Sequence, residues 1–176
     1  MKQRVSALLP SLSISLLLLL LGTEGCKKDM PAPINELDKL PPATQTGQGT
    51  FGCLINGKAY ITKSSSQVGA VYQLSFLQFG ADYPDHNIGI LINKAPIINK
   101  VYDLTNLGES LCHFNSRSDS KYCDYPPQNT TYGHVIITTF DTLKKVVSGT
   151  FEFATYVSPY DTIRVTNGRF DLPLYL

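Results

Sequence analysis

Residues 132–140 (YGHVIITTF), 145–155 (KVVSGTFEFAT) and 162–172 (TIRVTNGRFDL) decide the fold. Val, Ile, Thr and Phe dominate all three runs, and such side chains fit a pleated, half-buried surface. Asp141-Thr142 links the first run to the second, and Ser158-Pro159-Tyr160-Asp161 links the second to the third. The three should therefore run as an antiparallel meander. Val147, Phe151 and Phe153 share one face by the period of two. Gly149 between them leaves a gap that either admits a neighbouring side chain or marks a bulge. Asn167-Gly168 is either a bulge in the last strand or a second tight turn.

The same period reaches back to Thr50. Phe51, Cys53 and Ile55 alternate with smaller residues, and Asn56-Gly57 then separates them from 58–61 (KAYI). Asn-Gly between two such runs predicts a type I′ hairpin, because both central residues need positive φ. Residues 71–79 (VYQLSFLQF) read as a strand, 80–87 (GADYPDHN) as a turn, and 88–92 (IGILI) as a buried strand. Residues 97–104 offer another short strand before the turn Asn106-Leu107-Gly108. The polar stretch 109–131 reads as one long loop, which in a compact domain is either functional or stapled. No amphipathic helix follows residue 50. The pattern predicts an all-β domain over 50–176, an antiparallel β-sandwich or barrel-like fold of roughly eight or nine strands.

The chain starts differently. A basic start (Lys2, Arg4), an apolar run (Leu16 to Leu21) and small residues closing on Cys26 have the three-part form of an export signal. With its cysteine the stretch resembles the signal of bacterial lipoproteins, in which a diacylglycerol is placed on the cysteine and the peptide is cut just before it. The resemblance implies a signal peptide over 1–25, a lipid anchor at Cys26 and an exported protein that meets the membrane through its acyl chains. Several chains, palmitate among them, suffice for stable anchoring at about 0.8 kcal/mol per buried methylene. Residues 26–49 hold Pro31, Pro33, Pro41, Pro42, Gly47 and Gly49 and read as a tether. Within them Ile34, Leu37 and Leu40 have the spacing of one short helical turn.

Charge narrows the function classes. The signal carries two of the 15 basic and one of the 14 acidic residues, so the mature chain is formally neutral. Lys and Arg are scattered, whereas a nucleic-acid surface needs a basic face. Three cysteines remain after Cys26. Cys112 and Cys123 flank a polar stretch and are the expected disulfide, worth about 2 to 3 kcal/mol. Cys53 then reads as a buried thiol.

The pieces TFGCLINGKAY (50–60), VVSGTFEF (146–153) and VTNGRFD (165–171), behind the signal and LPPATQTG (40–47), resemble a family of Bacteroidetes lipoproteins whose domain has no assigned function. The resemblance implies an all-β, lipid-anchored domain at the outer membrane and carries no catalytic residue. The residues agree. No nucleophile elbow, phosphate loop or local metal spacing occurs, and no cofactor is implied. His86, His113 and His134 are far apart, and Asp82, Asp85 and Asn87 lack the spacing of an EF-hand. The expected function is a binding or interaction module with a glycan, small molecule or protein as ligand; a hydrolase with an unrecognised site and a purely structural envelope protein are the alternatives. Tyr122, Tyr125 and Tyr132, with Tyr83, are the candidate binding residues, since Tyr joins an apolar face to a hydrogen-bonding tip. Asp141-Thr142-Leu143 and Asp161-Thr162-Ile163 resemble the Asp-Ser/Thr-aliphatic sites at which exported Bacteroidetes proteins are O-glycosylated, which makes Thr142 and Thr162 candidates. The anchor is testable at once: Cys26→Ser should abolish both incorporation of labelled palmitate and partition into detergent phase, and retention of both removes the anchor.

Overall fold

The computed structural model describes residues 35–62, 64–117, 122–123, 130–158 and 161–176. The expected anchor Cys26, the candidate Tyr125 and the side chains of Tyr122 and Cys123 lie outside what is described. Among the described residues the elements are β1 (Thr50–Ile55), β2 (Lys58–Ile61), β3 (Val68–Gln73), β4 (Phe76–Asp82), β5 (His86–Ile92), β6 (Val101–Asp103), β7 (Ser110–Ser116), β8 (Tyr122–Cys123), β9 (Thr130–Asp141), β10 (Val146–Ser158) and β11 (Asp161–Tyr175). They make one sheet in the order β6-β9-β10-β11-β3-β4-β5-β7-β8, with β1 and β2 branching from β11. The all-β expectation holds, and the sheet curls into a nearly closed barrel.

The meander is where the sequence placed it. β10 pairs antiparallel with both β9 and β11 along most of its length. Val135, Ile137, Val147, Phe151, Phe153, Val165, Phe170 and Leu172 all point into the core. There the rings of Phe51, Phe151, Phe170 and Phe79 cluster, with Phe170 stacked on Phe51 and on Phe79, whose centroid lies 4.2 Å away. Gly149 does both things expected of it. The Phe170 ring lies over it, and the β9–β10 register slips between Ser148 and Gly149. Asn167-Gly168 is a bulge: Asn167 has φ 53°, and the register jumps on both neighbours of β11. The Asn56-Gly57 hairpin also forms, with φ 48° and 83°.

The barrel wraps because β11 divides its free edge. Its middle pairs with β1, while Leu174 and Tyr175 pair in parallel with Ala70 and Val71 of β3. The far edge returns without a ladder. Ser110 Oγ donates to the Asp103 carbonyl at 2.8 Å, and Cys112 Sγ lies 3.6 Å from Thr130 Oγ1.

Four expectations change. Among the described residues eleven strands stand where roughly eight or nine were expected, chiefly because 71–79 splits into β3 and β4 at Leu74-Ser75. Both turn residues have positive φ (49° and 69°), the geometry of Asn-Gly turns without either residue type. A left-handed Leu costs roughly 1 to 2 kcal/mol. The second change is in the long polar loop, which contains β7 paired with β5 over seven residues. Its apparent polarity is alternation, with Ser110, Cys112, Phe114 and Ser116 inside. Third, the expected Cys112–Cys123 disulfide is not seen among the described residues, which leave out the Cys123 side chain. The β7–β8 register sets Cys123 opposite Phe114, two residues from Cys112. Diagonal neighbours at that offset stand about 7 Å apart or more, beyond the reach of a relaxed disulfide.

The fourth change concerns the tether. From Asn35 onward the chain belongs to the folded unit. Residues 36–39 form one 3₁₀ turn capped by Asn35, at the spacing expected, and Leu40 is buried. Glu36 accepts the outward N–H of Ala59 at 2.8 Å and so covers the free edge of β2. Residues 44–48 wrap the carboxylate of Asp171, which is 1% exposed. Oδ2 accepts from Thr44 Oγ1 (2.6 Å) and the N–H groups of Thr46 (3.0 Å) and Gln48 (3.2 Å). Oδ1 accepts from Gly47 N–H and Ser148 Oγ, both at 2.7 Å. Burial alone would raise this carboxyl, but these donors outweigh it and hold the pKa at about 2. A depressed carboxylate stabilises fully above its unfolded value near 4, and the contribution is lost as pH falls through about 2; its size is on the order of 2 kcal/mol. Asp171→Asn should therefore lower the unfolding free energy at pH 7 by roughly that amount or more. The deficit should shrink between pH 4 and 2. A pH-independent deficit in denaturant titrations would show that the charge is not what matters.

Candidate functional site

Outward-facing positions on the meander carry the polar cluster. Register sets His134 of β9 opposite Glu152 of β10, Tyr132 opposite Ala154, and Thr150 opposite Arg169 of β11. The Tyr132 hydroxyl donates to Glu152 Oε1 and lies 3.2 Å from His134 Nδ1. His134 Nδ1 is 3.7 Å from Glu152 Oε1. The carboxylate beside it raises the Tyr132 pKa, because it favours the protonated phenol.

A groove of about 370 Å³ opens beside this trio, lined by Ala43, His134, Thr150, Glu152, Asn167 and Arg169. Two features build it, one that the sequence left undecided and one that it missed. The bulge of β11 holds Asn167 outward at positive φ. The folded strap supplies Ala43, and its Pro41 carbonyl accepts from Arg169 Nη1 at 3.2 Å. The site thus offers an acceptor carboxylate, a guanidinium donor, an amide and a hydroxyl around one open space. Tyr132, 52% exposed, adds an aromatic face at its rim.

A second groove, also about 370 Å³, crosses β3, β4 and β5 where Gly69, Gly80 and Gly89 stand side by side. The His113 ring folds over Gly89, leaving no room there for a Cβ, and bonds Asn87 Oδ1. Missing side chains across three strands let the sheet bend toward closure, and mostly apolar atoms line the result.

Of the tyrosine candidates whose side chains are described, Tyr132 lies beside the polar groove. Tyr83 is core: burial raises its pKa, and its hydroxyl lies 3.4 Å from the Tyr60 carbonyl. Tyr122 lies opposite Asn115 in β8. Cys53 is buried as expected, and burial pushes its thiol up to about 12. Thr142 occupies an exposed turn, whereas Thr162 is in β11 opposite Tyr156 and half-buried. Asp82 already holds a cation, pairing with Arg117. Among the described residues no group of three His, Cys, Asp or Glu side chains could hold a metal ion. Glu152 and Arg169 were not singled out from sequence, His134 was weighed only for a local metal spacing, and Asn167 only as a bulge or turn residue. Only Tyr132-x-His134, two apart on one strand, carried a local signal.

No family model, curated protein or solved structure matches this chain. If Glu152 governs Tyr132 as described, Glu152→Gln should bring the Tyr132 hydroxyl to titrate at lower pH than in the parent. Carbon-13 shifts of labelled tyrosine Cζ report this directly, and an unchanged titration would remove the Tyr132–Glu152 bond from the site.

Proposed function

We propose that this chain is a lipid-anchored protein of the outer membrane whose barrel is a binding module. In this reading its ligand is a neutral glycan or similar hydroxylated molecule, held at the groove between His134, Glu152, Asn167 and Arg169. The observation that carries the reading is the convergence of donors and acceptors from three strands and the strap on one open groove beside an exposed tyrosine. Hydroxyl-rich ligands need such mixed pairing groups and a ring face to cover their C–H surface. The lipoprotein-like signal and the formal neutrality of the mature chain support a tethered module for an uncharged ligand. Thr142, on an exposed turn, suits the expected O-glycosylation better than Thr162.

A hydrolase is the second reading, favoured by the 3.7 Å His134–Glu152 pair beside open space. A glycan array probed with the full lipidated chain tests both. Binding without turnover supports the module, and release of product supports the hydrolase. Glu152→Gln and Asn167→Gly, the latter keeping the positive φ, should each weaken binding about tenfold, near 1.4 kcal/mol. The melting temperature should barely move. Full binding in both variants would place the ligand elsewhere.

A further inference from the structure

We propose that one end of the barrel is a docking surface for the lipid bilayer, made of apolar loop tips flanked by lysines. Three connections and the end of β11 meet at this end. Gln73 and Phe76 pair across the Leu74-Ser75 turn, and Tyr175 pairs with Val71 just below it. Leu174 N–H donates to the Lys145 carbonyl of the β9–β10 turn at 2.8 Å. The Tyr72 and Phe140 rings, 4.9 Å apart, join the bases of the two turns. The connection 93–100 leaves the same end from β5, since Phe76 begins β4 where Ile92 closes β5.

The large apolar side chains exposed here crown the barrel. Leu74 is 87% exposed and Leu143 94%, with Ile97, Ile98, Tyr175 and Leu176 also exposed. Soluble surfaces rarely gather so many, and such a patch marks a partner or a membrane. The backbone agrees, because Leu74 occupies a left-handed position that Asn or Gly fills at less strain. Strain kept at an exposed apolar tip points to a use for that side chain.

Charge selects lipid as the occupant. Lys94, Lys100, Lys144 and Lys145 ring the tips, with Glu109 and Asp141 paired to Lys100 and Lys144. Apolar tips among lysines suit an interface with anionic headgroups. Chain length agrees as well, in a step that rests on the anchor at Cys26. From Cys26 to Asn35 the chain makes nine Cα–Cα steps and reaches at most about 30 Å. Glu36 binds Ala59, which lies level with Leu54 and Thr166. From Thr166 to Tyr175 the strand also runs about 30 Å, less with tilt. The tether therefore just allows the apolar end to touch the bilayer, leaving the groove at Asn167 clear of it.

The chain has no tryptophan, so a single introduced one reports its own surroundings. Full lipidated chains carrying Leu74→Trp, Leu143→Trp or Tyr156→Trp, the last at the opposite end, would be placed in phosphatidylethanolamine–phosphatidylglycerol vesicles. Docking predicts blue-shifted emission at 74 and 143, quenched by brominated lipid, with 156 unaffected. Lys94→Glu with Lys144→Glu should reduce that quenching. Flotation with the vesicles while all three positions remain water-exposed would overturn docking and leave the anchor standing. Failure to float would remove the anchor and this inference with it. A concentration-dependent blue shift at 74 without vesicles would make the surface an interface between copies of the chain and overturn the lipid assignment.

Discussion

The Asp171 carboxylate is the interaction from which the strap, the barrel seam and the groove all follow. A buried carboxylate is tolerated only with its lone pairs filled, and here successive backbone N–H groups of Thr46, Gly47 and Gln48 form a small anion-binding nest around it. Ser148 closes it from β10. One side chain thus satisfies backbone donors of a segment with no ladder of its own and ties that segment to two central strands. Remove the carboxylate and residues 44–48 lose their acceptor. Pro41 and Ala43 would then lose their fixed place beside Arg169.

Closure has a similar economy of parts. β11 keeps β1 as its partner on both sides of the bulge at Asn167, and beyond Asp171 its end serves β3. The glycine row across β3, β4 and β5 bends the other wall toward the gap beside β7. Both devices have a surface consequence: the bulge presents Asn167, and the missing side chains leave a groove.

The alternation of Val147, Phe151 and Phe153, and the Asn56-Gly57 turn, were legible because period and turn chemistry are local. The Leu74-Ser75 turn was not, since neither residue advertises positive φ. β7 hid for a different reason: Ser110, Cys112 and Ser116 face the core while reading as polar. The strap hid because its partner, Asp171, lies more than a hundred residues away, and a Pro- and Gly-rich composition looks the same whether the segment is loose or clasped. The site was the least legible part. His134 and Glu152 meet only through the β9–β10 register, and Arg169 and Asn167 only through a bulge that sequence left undecided.

The strap therefore has two roles that are usually separate. It is the stretch through which the chain from Cys26 enters the fold, and it is also one wall of the groove, through Ala43 and the Pro41–Arg169 bond. Glu36 covers the edge of β2 at one point and Asp171 holds the strap at another, so tension arriving from the amino-terminal side meets Glu36–Ala59 first. That outer contact is a single hydrogen bond at a part-buried carboxylate, whereas the clasp is a buried, charge-assisted cluster of hydrogen bonds. Contacts of such unequal strength yield in order. The edge of β2 would open while the groove stays intact, so the weak outer contact shields the groove wall from movement of the segment before it.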